Sequence, residues 1–482
     1  MSERAPSTGV SVRFGRRPAR GLLLGFSGPR CAALGSSLVV VVAAMFFAGV
    51  TGLAVAAPVW LLLAASAFVR VGGQTAVEWA PVAGRFALRR LAGQHDFRAR
   101  VSRPRPEGSL ALPGDAAGLR LWADPVSGAA MVHDPHRQTL SAVLRVSHPA
   151  FVLLSPSDQA ARVGGWGRAL AGLAQAGTCA ALQVCEATVP DPGTGVTAWW
   201  DQHGHHGAGW AAEQYAALLD TARLGSSAHR STVSLALDMR AAARQVKASG
   251  RGVKGAAAVL RADMANLEHQ LRSAELRVEG WLTPGELAAV VRSAYDPGAD
   301  VTPGSPATDM RRAGPLAVSE HWDRLRHDTG WSCVLWLCEW PRIEVRADFL
   351  HALVFTPGVR KVVSLLARPV GTAEALRRIR VEKTSALADA AQKARIGQVA
   401  DLADHQELED VLARERALVA GHADVELSGF VTVTATSSEE LDAAVAAVVR
   451  AATQCACEAR PLYGRQAQAF VCAALPLARS TL

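Results

Sequence analysis

Between Arg30 and Arg70 the chain runs for 39 residues without one charged side chain. As a single continuous helix this stretch would be about 58 Å long, against a bilayer hydrocarbon core of about 30 Å. One straight crossing is too long, whereas two crossings of about 18 residues each fit if the chain turns near its midpoint. Gly49, Thr51 and Gly52 stand there, within MFFAGVTGLAVAAPVW, and divide the stretch into 31–48 and 53–70. The expectation is a transmembrane helical hairpin over 31–70. A buried helical hairpin in a soluble core is the alternative.

The flanks orient it. Arg4, Arg13, Arg16, Arg17, Arg20 and Arg30 precede the apolar stretch, Arg70, Arg85, Arg89, Arg90, Arg98 and Arg100 follow it, and the turn carries none. Arginines close to membrane ends are retained in the cytoplasm, so a multi-pass protein of the plasma membrane is expected, with both termini cytoplasmic. The apolar stretch is twice the length of a signal peptide's apolar region, which argues against cleavage. Residues 1–30 form the cytoplasmic N-terminal segment and 71–100 a juxtamembrane segment. There VEWAPVAGRFALRRLAG (77–93) sets Trp79, Val82, Phe86, Leu88 and Leu91 near one side and Arg85, Arg89 and Arg90 on the rest. That pattern suits a helix lying in the headgroup layer, and equally an amphipathic helix packed on the next domain. Expected membrane-anchor residues are Arg30, Trp60, Arg70, Trp79, Arg85, Arg89 and Arg90.

The remaining residues are numerous enough for about two further domains. Net charge is +8, but the 51 basic residues include only five lysines, at 247, 254, 361, 383 and 393. An Arg excess of this kind reflects a GC-rich coding sequence more than a nucleic-acid face, which needs clustering; an accessory DNA contact is the lesser reading. Eight scattered cysteines with no CxxC pair suit a reducing cytoplasm.

From 101 onward strand and helix patterns alternate. Strands are expected at 119–124, 128–134, 139–147, 180–189, 231–239 and 275–282. Helices are expected at 157–176 with Ser157 as N-cap, at 208–223, at 253–273, and from Pro284. A Pro- and Gly-rich linker spans 296–317. Beyond it strands fall at 331–341, 359–370, 426–436 and 457–463. Helix fills 346–354 and 373–420, with a weak point at Gly397, and a further helix opens at Ser437 and Glu440, which stand at capping-box spacing. The fold class is therefore a membrane-anchored α+β protein: a helical hairpin, then two cytoplasmic α+β units of the split βαβ, ferredoxin-like kind, at 101–295 and 318–482.

No motif in the sequence marks a catalytic centre. GRGVKGAA (250–257) has neither the spacing nor the hydroxyl of a P-loop and reads as a basic loop before a helix. WWDQHGHHGAGW (199–210) brings His203, His205 and His206 beside Asp201, a metal candidate only, since neighbours in one glycine loop rarely fix a metal's geometry. His133 and His136 beside Asp134 fit a turn between strands. Cys333, Cys338, Cys455 and Cys457 read as buried small residues. No catalytic residue and no cofactor are expected.

The stretches VSVRFGRRPARGLLLGFSGPR, VEWAPVAGRFALRRLAGQ, VHDPHRQTLSAVLRVS, LRVEGWLTPGELAAVVRSAYDP and GRQAQAFVCAALPLAR together resemble a family of actinobacterial membrane proteins found beside conjugation and type IV secretion-like ATPases. Residues 9–100 are similar to the two-helix, PrgI-like inner-membrane subunit of such systems. From about 320 the chain is similar to the non-catalytic N-terminal region of the conjugation ATPase, through Ser438, Glu440 and Leu441 and then Gln466, Ala469, Phe470, Leu475 and Pro476. Where that ATPase continues into a Walker motif, this sequence stops at Leu482. The resemblance implies a non-catalytic scaffold, oligomeric within a complex, that docks a separate ATPase and other secretion subunits at the cytoplasmic face. A type VII (ESX-like) membrane component is similar in outline and is the alternative; a membrane-tethered hydrolase or metal enzyme is a further one.

Overall fold

The computed structural model describes residues 11–12, 14, 26–71, 73–100, 108–147, 151–190, 194–204, 209–222, 227–298, 310–395 and 402–480. The chain divides into two compact units. One is Gly15–His95 with Tyr463–Arg465; the other is Met1–Phe14, Asp96–Leu462 and Gln466–Leu482. Elements are numbered along the chain, and β1 (Ser11–Val12) belongs to the larger unit.

The smaller unit holds α1 (Gly28–Val55), α2 (Ala57–Phe68), the short strands β2 (Arg70–Val71) and β3 (Gln74–Thr75), and α3 (Ala76–Leu91). Among the described residues α1 is the one helix long and apolar enough to cross a membrane. It is broken at Gly49, whose φ of 61° and ψ of −145° lie where only glycine sits without strain. Three residues on, a Cβ at Gly52 would stand 2.6 Å from the Ala44 carbonyl oxygen, so this position too must stay bare. The break thus falls where the sequence suggested, but the boundaries differ. Helical backbone resumes to Val55, and the second helix starts at Ala57 rather than Leu53 because Pro58 suits a first turn. With 12 residues α2 is about 18 Å long, shorter than the expected span. Ser37 Oγ donates to the Trp60 carbonyl (2.9 Å), and Phe26 meets Phe68 edge-on at 6.3 Å.

The larger unit begins its sheet with β4 (Asp96–Arg98). It continues through β5 (Arg120–Ala123), β6 (Ala130–Asp134), β7 (Thr139–Ser147), α4 (Pro156–Ala176), β8 (Cys179–Pro190), α5 (Thr194–His203), α6 (Trp210–Ala222), β9 (Ser227–Asp238), α7 (Ala243–Ala248), α8 (Gly252–Ser273), β10 (Arg277–Trp281) and α9 (Pro284–Tyr295). After α10 (Met310–Ala313) come β11 (Ala317–Glu320), β12 (Leu325–His327), β13 (Gly330–Glu339), β14 (Val345–Arg346), α11 (His351–Val354), β15 (Arg360–Val370), α12 (Thr372–Arg395), α13 (Leu402–Val419), β16 (Asp424–Ala435), α14 (Ser438–Gln454), β17 (Glu458–Pro461) and α15 (Gln466–Ala473). Of the expected linker, 299–309 lie outside the described residues.

Among the described residues thirteen strands make one sheet in the order β4-β11-β12-β13-β16-β15-β8-β9-β7-β6-β5, with β10 added on β7 and β17 on β13. This order contains a repeat. In the first half β5-β6-β7-β9-β8 run side by side with β10 on β7; in the second, β11-β12-β13-β16-β15 do the same with β17 on β13. Each half follows strand, helix, strand, helical insertion, strand, helix, strand. The two α+β units expected from the sequence are thus two copies of one topology. They are not separate domains, because β8 and β15 pair antiparallel from Lys361↔Thr188 to Ala367↔Leu182 and fuse them into one sheet.

Alternation along the strands divides the core. On one face Leu287, Val291 and Tyr295 of α9 and Ala469 and Phe470 of α15 gather around Phe430. On the other, Leu260, Leu267 and Leu271 of α8 cover Val233, Leu235 and Leu237, and Val448 and Ala452 of α14 cover Val431 and Val433. Caps set the helix starts: Thr283 and Glu286 close a capping box on α9, and Ser437 Oγ accepts the Glu440 amide at 3.2 Å. The N-cap of α4 is Ser155 rather than Ser157, since Pro156 takes the first helical position.

Candidate functional site at the base of the apolar helices

The start of α1 and the start of α3 are joined by one carboxylate. Thr75, the N-cap of α3, donates its amide to Glu78 Oε2 (2.9 Å), as a capping box requires. Ser27, the N-cap of α1, donates its hydroxyl to Glu78 Oε1 (2.6 Å). Arg30 completes the cluster, its Nε reaching Thr75 Oγ1 at 3.2 Å and Glu78 at 3.6 Å. Burial pushes the Glu78 carboxyl up, but the bonds from Ser27 and Thr75 and the Arg30 charge outweigh it and hold it below the usual range. An ionised Glu78 therefore fastens both helix starts together. The sequence reading named Arg30 but missed Ser27, Thr75 and Glu78; the signal was the T-x-x-E spacing just before an apolar run.

The other anchor residues divide. Arg70 is exposed in β2. Trp60 is half-buried, with Nε1 turned toward the Leu53 carbonyl at 3.5 Å, so it serves the turn. Trp79 meets the Tyr463 ring at 5.3 Å, and Arg89 lies over Phe86 and donates to the Gly464 carbonyl. Arg85 and Arg90 are exposed, as are Leu88 and Leu91, so the covered side of α3 is narrower than the sequence pattern suggested.

Elsewhere the candidates for chemistry take structural roles. His203 ends α5, exposed, its ring stacked on Trp199 at 5.1 Å and its Nδ1 3.1 Å from the Trp199 carbonyl; His205 and His206 lie outside the described residues. Among the described residues no three His, Cys, Asp or Glu side chains gather as a metal site would need. Lys254 falls inside α8, and Gly255 is pressed against the Val246 carbonyl, a packing role. Asp134 accepts the amides of His136 and Arg137 in the turn after β6 and pairs with the buried Arg479 at 2.9 Å. Cys333, Cys455 and Cys457 are buried and Cys338 half-buried; burial pushes the Cys333 and Cys457 thiols up to about 12.

One serine–histidine pair was not foreseen. His327 Nδ1 stands 2.6 Å from the Tyr295 carbonyl, and Nε2 stands 2.7 Å from Ser332 Oγ, which in turn is 2.7 Å from Thr434 Oγ1. A carbonyl only accepts, so Nδ1 carries the proton, Ser332 donates to Nε2, and Thr434 donates to Ser332. Burial lowers the His327 pKa to about 4. With Ser332 sealed from solvent, the pair is a buried relay joining α9, β12, β13 and β16 rather than a nucleophile with its base.

The C-terminal residues that carried the resemblance are also structural. Gln466 is fully buried, accepting the Val334 amide at 2.8 Å and donating to the Leu462 carbonyl at 3.0 Å. Ala469, Phe470 and Leu475 belong to the central core, and the Pro476 carbonyl accepts from Ser234. The chain matches no family model, and no curated protein matches it.

Proposed function

We propose that this chain is a non-catalytic scaffold of the plasma membrane that seats a separate ATPase of a type IV secretion-like, conjugative machine at its cytoplasmic face. The observation that carries the reading is the path of the chain. Residues before the apolar helices pair into the larger unit, β1 with β14, and residues after them do so too, β4 with β11. An odd number of crossings would part these strands; a hairpin of two keeps them on one side. The glycine break at 49, the bond from Ser37 to Trp60 and the arginine flanks favour that hairpin. The short second helix is accommodated by local thinning of the bilayer. Strand order β10-β7-β9-β8, repeated as β17-β13-β16-β15, supports reading each half as a split βαβ, ferredoxin-like unit.

The ATPase-docking role rests on the resemblance and on a large α+β body without an assembled catalytic set among the described residues. Affinity purification from native membranes in mild detergent tests it: co-purification of a conjugation-type ATPase is the expected result. Recovery of type VII components instead reassigns the machine, and recovery of the chain alone removes the proposal.

A further inference from the structure

Where the two halves join, the sheet face beneath α9 encloses a cavity of about 80 Å³. Its walls are mostly apolar, among them Ala187 of β8, Val362 of β15, Val290 of α9 and Pro476. Two features do not belong to an apolar core. Thr432 lines the cavity, is 1% exposed, and its Oγ1 has no hydrogen-bond partner. A buried hydroxyl left without a partner is costly, so a polar atom entering the cavity would recover part of that cost.

The second feature is positive charge. Arg230, Arg360 and Lys361 line the cavity, and none is in an ion pair with a carboxylate among the described residues; the buried Lys361 donates its Nζ to the Thr356 carbonyl (2.8 Å). Arg360 donates to neutral acceptors, the Pro297 carbonyl (3.0 Å) and the Ser293 carbonyl (2.8 Å), and forms no direct ion pair among the described residues. The nearby acids are engaged elsewhere: Glu186 by His229 and Ser231, Asp296 by Arg292 and Thr329. Burial and the neighbouring Arg230 both depress the Arg360 guanidinium, and the Asp296 carboxylate offsets them only in part. Arg360 and Thr434 are shared with a larger groove of about 640 Å³, which gives a way in.

Size limits the occupant. An apolar cavity of about 150 Å³ holds a six-carbon ring, so one of this size holds a body of about three heavy atoms, with the charged head outside. We propose that this cavity binds a small organic carboxylate, its head between Arg230 and Arg360 and its short body, bearing one polar oxygen, against Thr432. The hydroxyl of Thr434 is turned toward Ser332 by the His327 relay, which leaves its oxygen as an acceptor on the same wall.

The test is calorimetric titration of the full chain in detergent micelles with 3-hydroxybutyrate, butyrate and inorganic phosphate. Saturable binding of one 3-hydroxybutyrate per chain, tighter than butyrate, is expected. Arg230→Gln, an exposed position with no ion pair among the described residues, should weaken both carboxylates by about tenfold or more. Thr432→Val preserves shape and should erase the preference for the hydroxylated probe while leaving butyrate binding intact. No saturable binding of either carboxylate at about 10 mM, a concentration that detects even millimolar affinity, overturns the proposal. So does binding unchanged by Arg230→Gln, a hydroxyl preference surviving in Thr432→Val, or phosphate binding as well as the carboxylates.

Discussion

Acid should loosen the protein through one buried imidazole. His327 has its folded pKa depressed to about 4 by burial, against an ordinary 6.5. Because the folded state resists the proton and the unfolded chain accepts it, the stabilisation is present above pH 6.5 and is lost as pH falls toward 4. Between pH 7 and pH 4.5 the difference amounts to about 2–3 kcal/mol, from the roughly 1.4 kcal/mol that each pKa unit represents. Structurally, the charged ring would turn Nε2 from acceptor into donor against Ser332, forcing the relay through Thr434 to reverse. His327→Asn keeps a donor for the Tyr295 carbonyl but does not titrate, so its own cost is felt equally at both pH values. Denaturant unfolding of parent and variant at pH 7 and pH 4.5 should show the parent losing about 2–3 kcal/mol more than the variant. Equal losses would refute the argument, since carboxylates elsewhere contribute alike to both proteins.

Four further outcomes follow from named contacts. Gln183 donates to Ser364 Oγ and the Cys472 carbonyl and accepts the Ala478 amide, joining β8, β15 and the C-terminal segment, so Gln183→Leu should cost about 2–4 kcal/mol in denaturant unfolding. Gly49→Ala forces a side chain into a glycine-only backbone region at about 1–3 kcal/mol; cysteines placed at Phe26 and Phe68 should then form less disulfide than in the Gly49 parent. Glu78→Gln removes the partner of Arg30 at a cost of about 1 kcal/mol, and trypsin should cut α3 at Arg85 and Arg90 faster. Replacing His203, His205 and His206 together by Ala should leave the metal content per chain unchanged by mass spectrometry.

Much of the secondary structure was legible because it rests on local rules. The strand at 139–147 was placed to the residue by its turn signals and β-branched content, and α14 by its Ser437–Glu440 cap. The duplication was invisible, because strand order depends on which apolar faces meet and not on residue identity: Gln183 and Ser364 occupy neighbouring positions across the join without any motif to mark them. For the same reason the halves were read as separate domains. At the base of the apolar helices Arg30 was visible as a charge at the end of an apolar run, whereas its partner Glu78 lies 48 residues away and is brought in only by folding. The relay through His327 and the cavity beside Thr432 join residues more than a hundred positions apart, beyond what spacing conveys.

The central claim is a membrane anchor with both flanks on the cytoplasmic side, and labelling of single introduced cysteines by a membrane-impermeant maleimide in intact cells tests it most directly. Ser11→Cys and Ala99→Cys should react only after permeabilisation, while Thr51→Cys, beside the Gly49 break, should react from outside. Reaction of Ser11→Cys and Ala99→Cys from opposite sides would contradict the account, and so would a Thr51→Cys that is reached only from the cytoplasm.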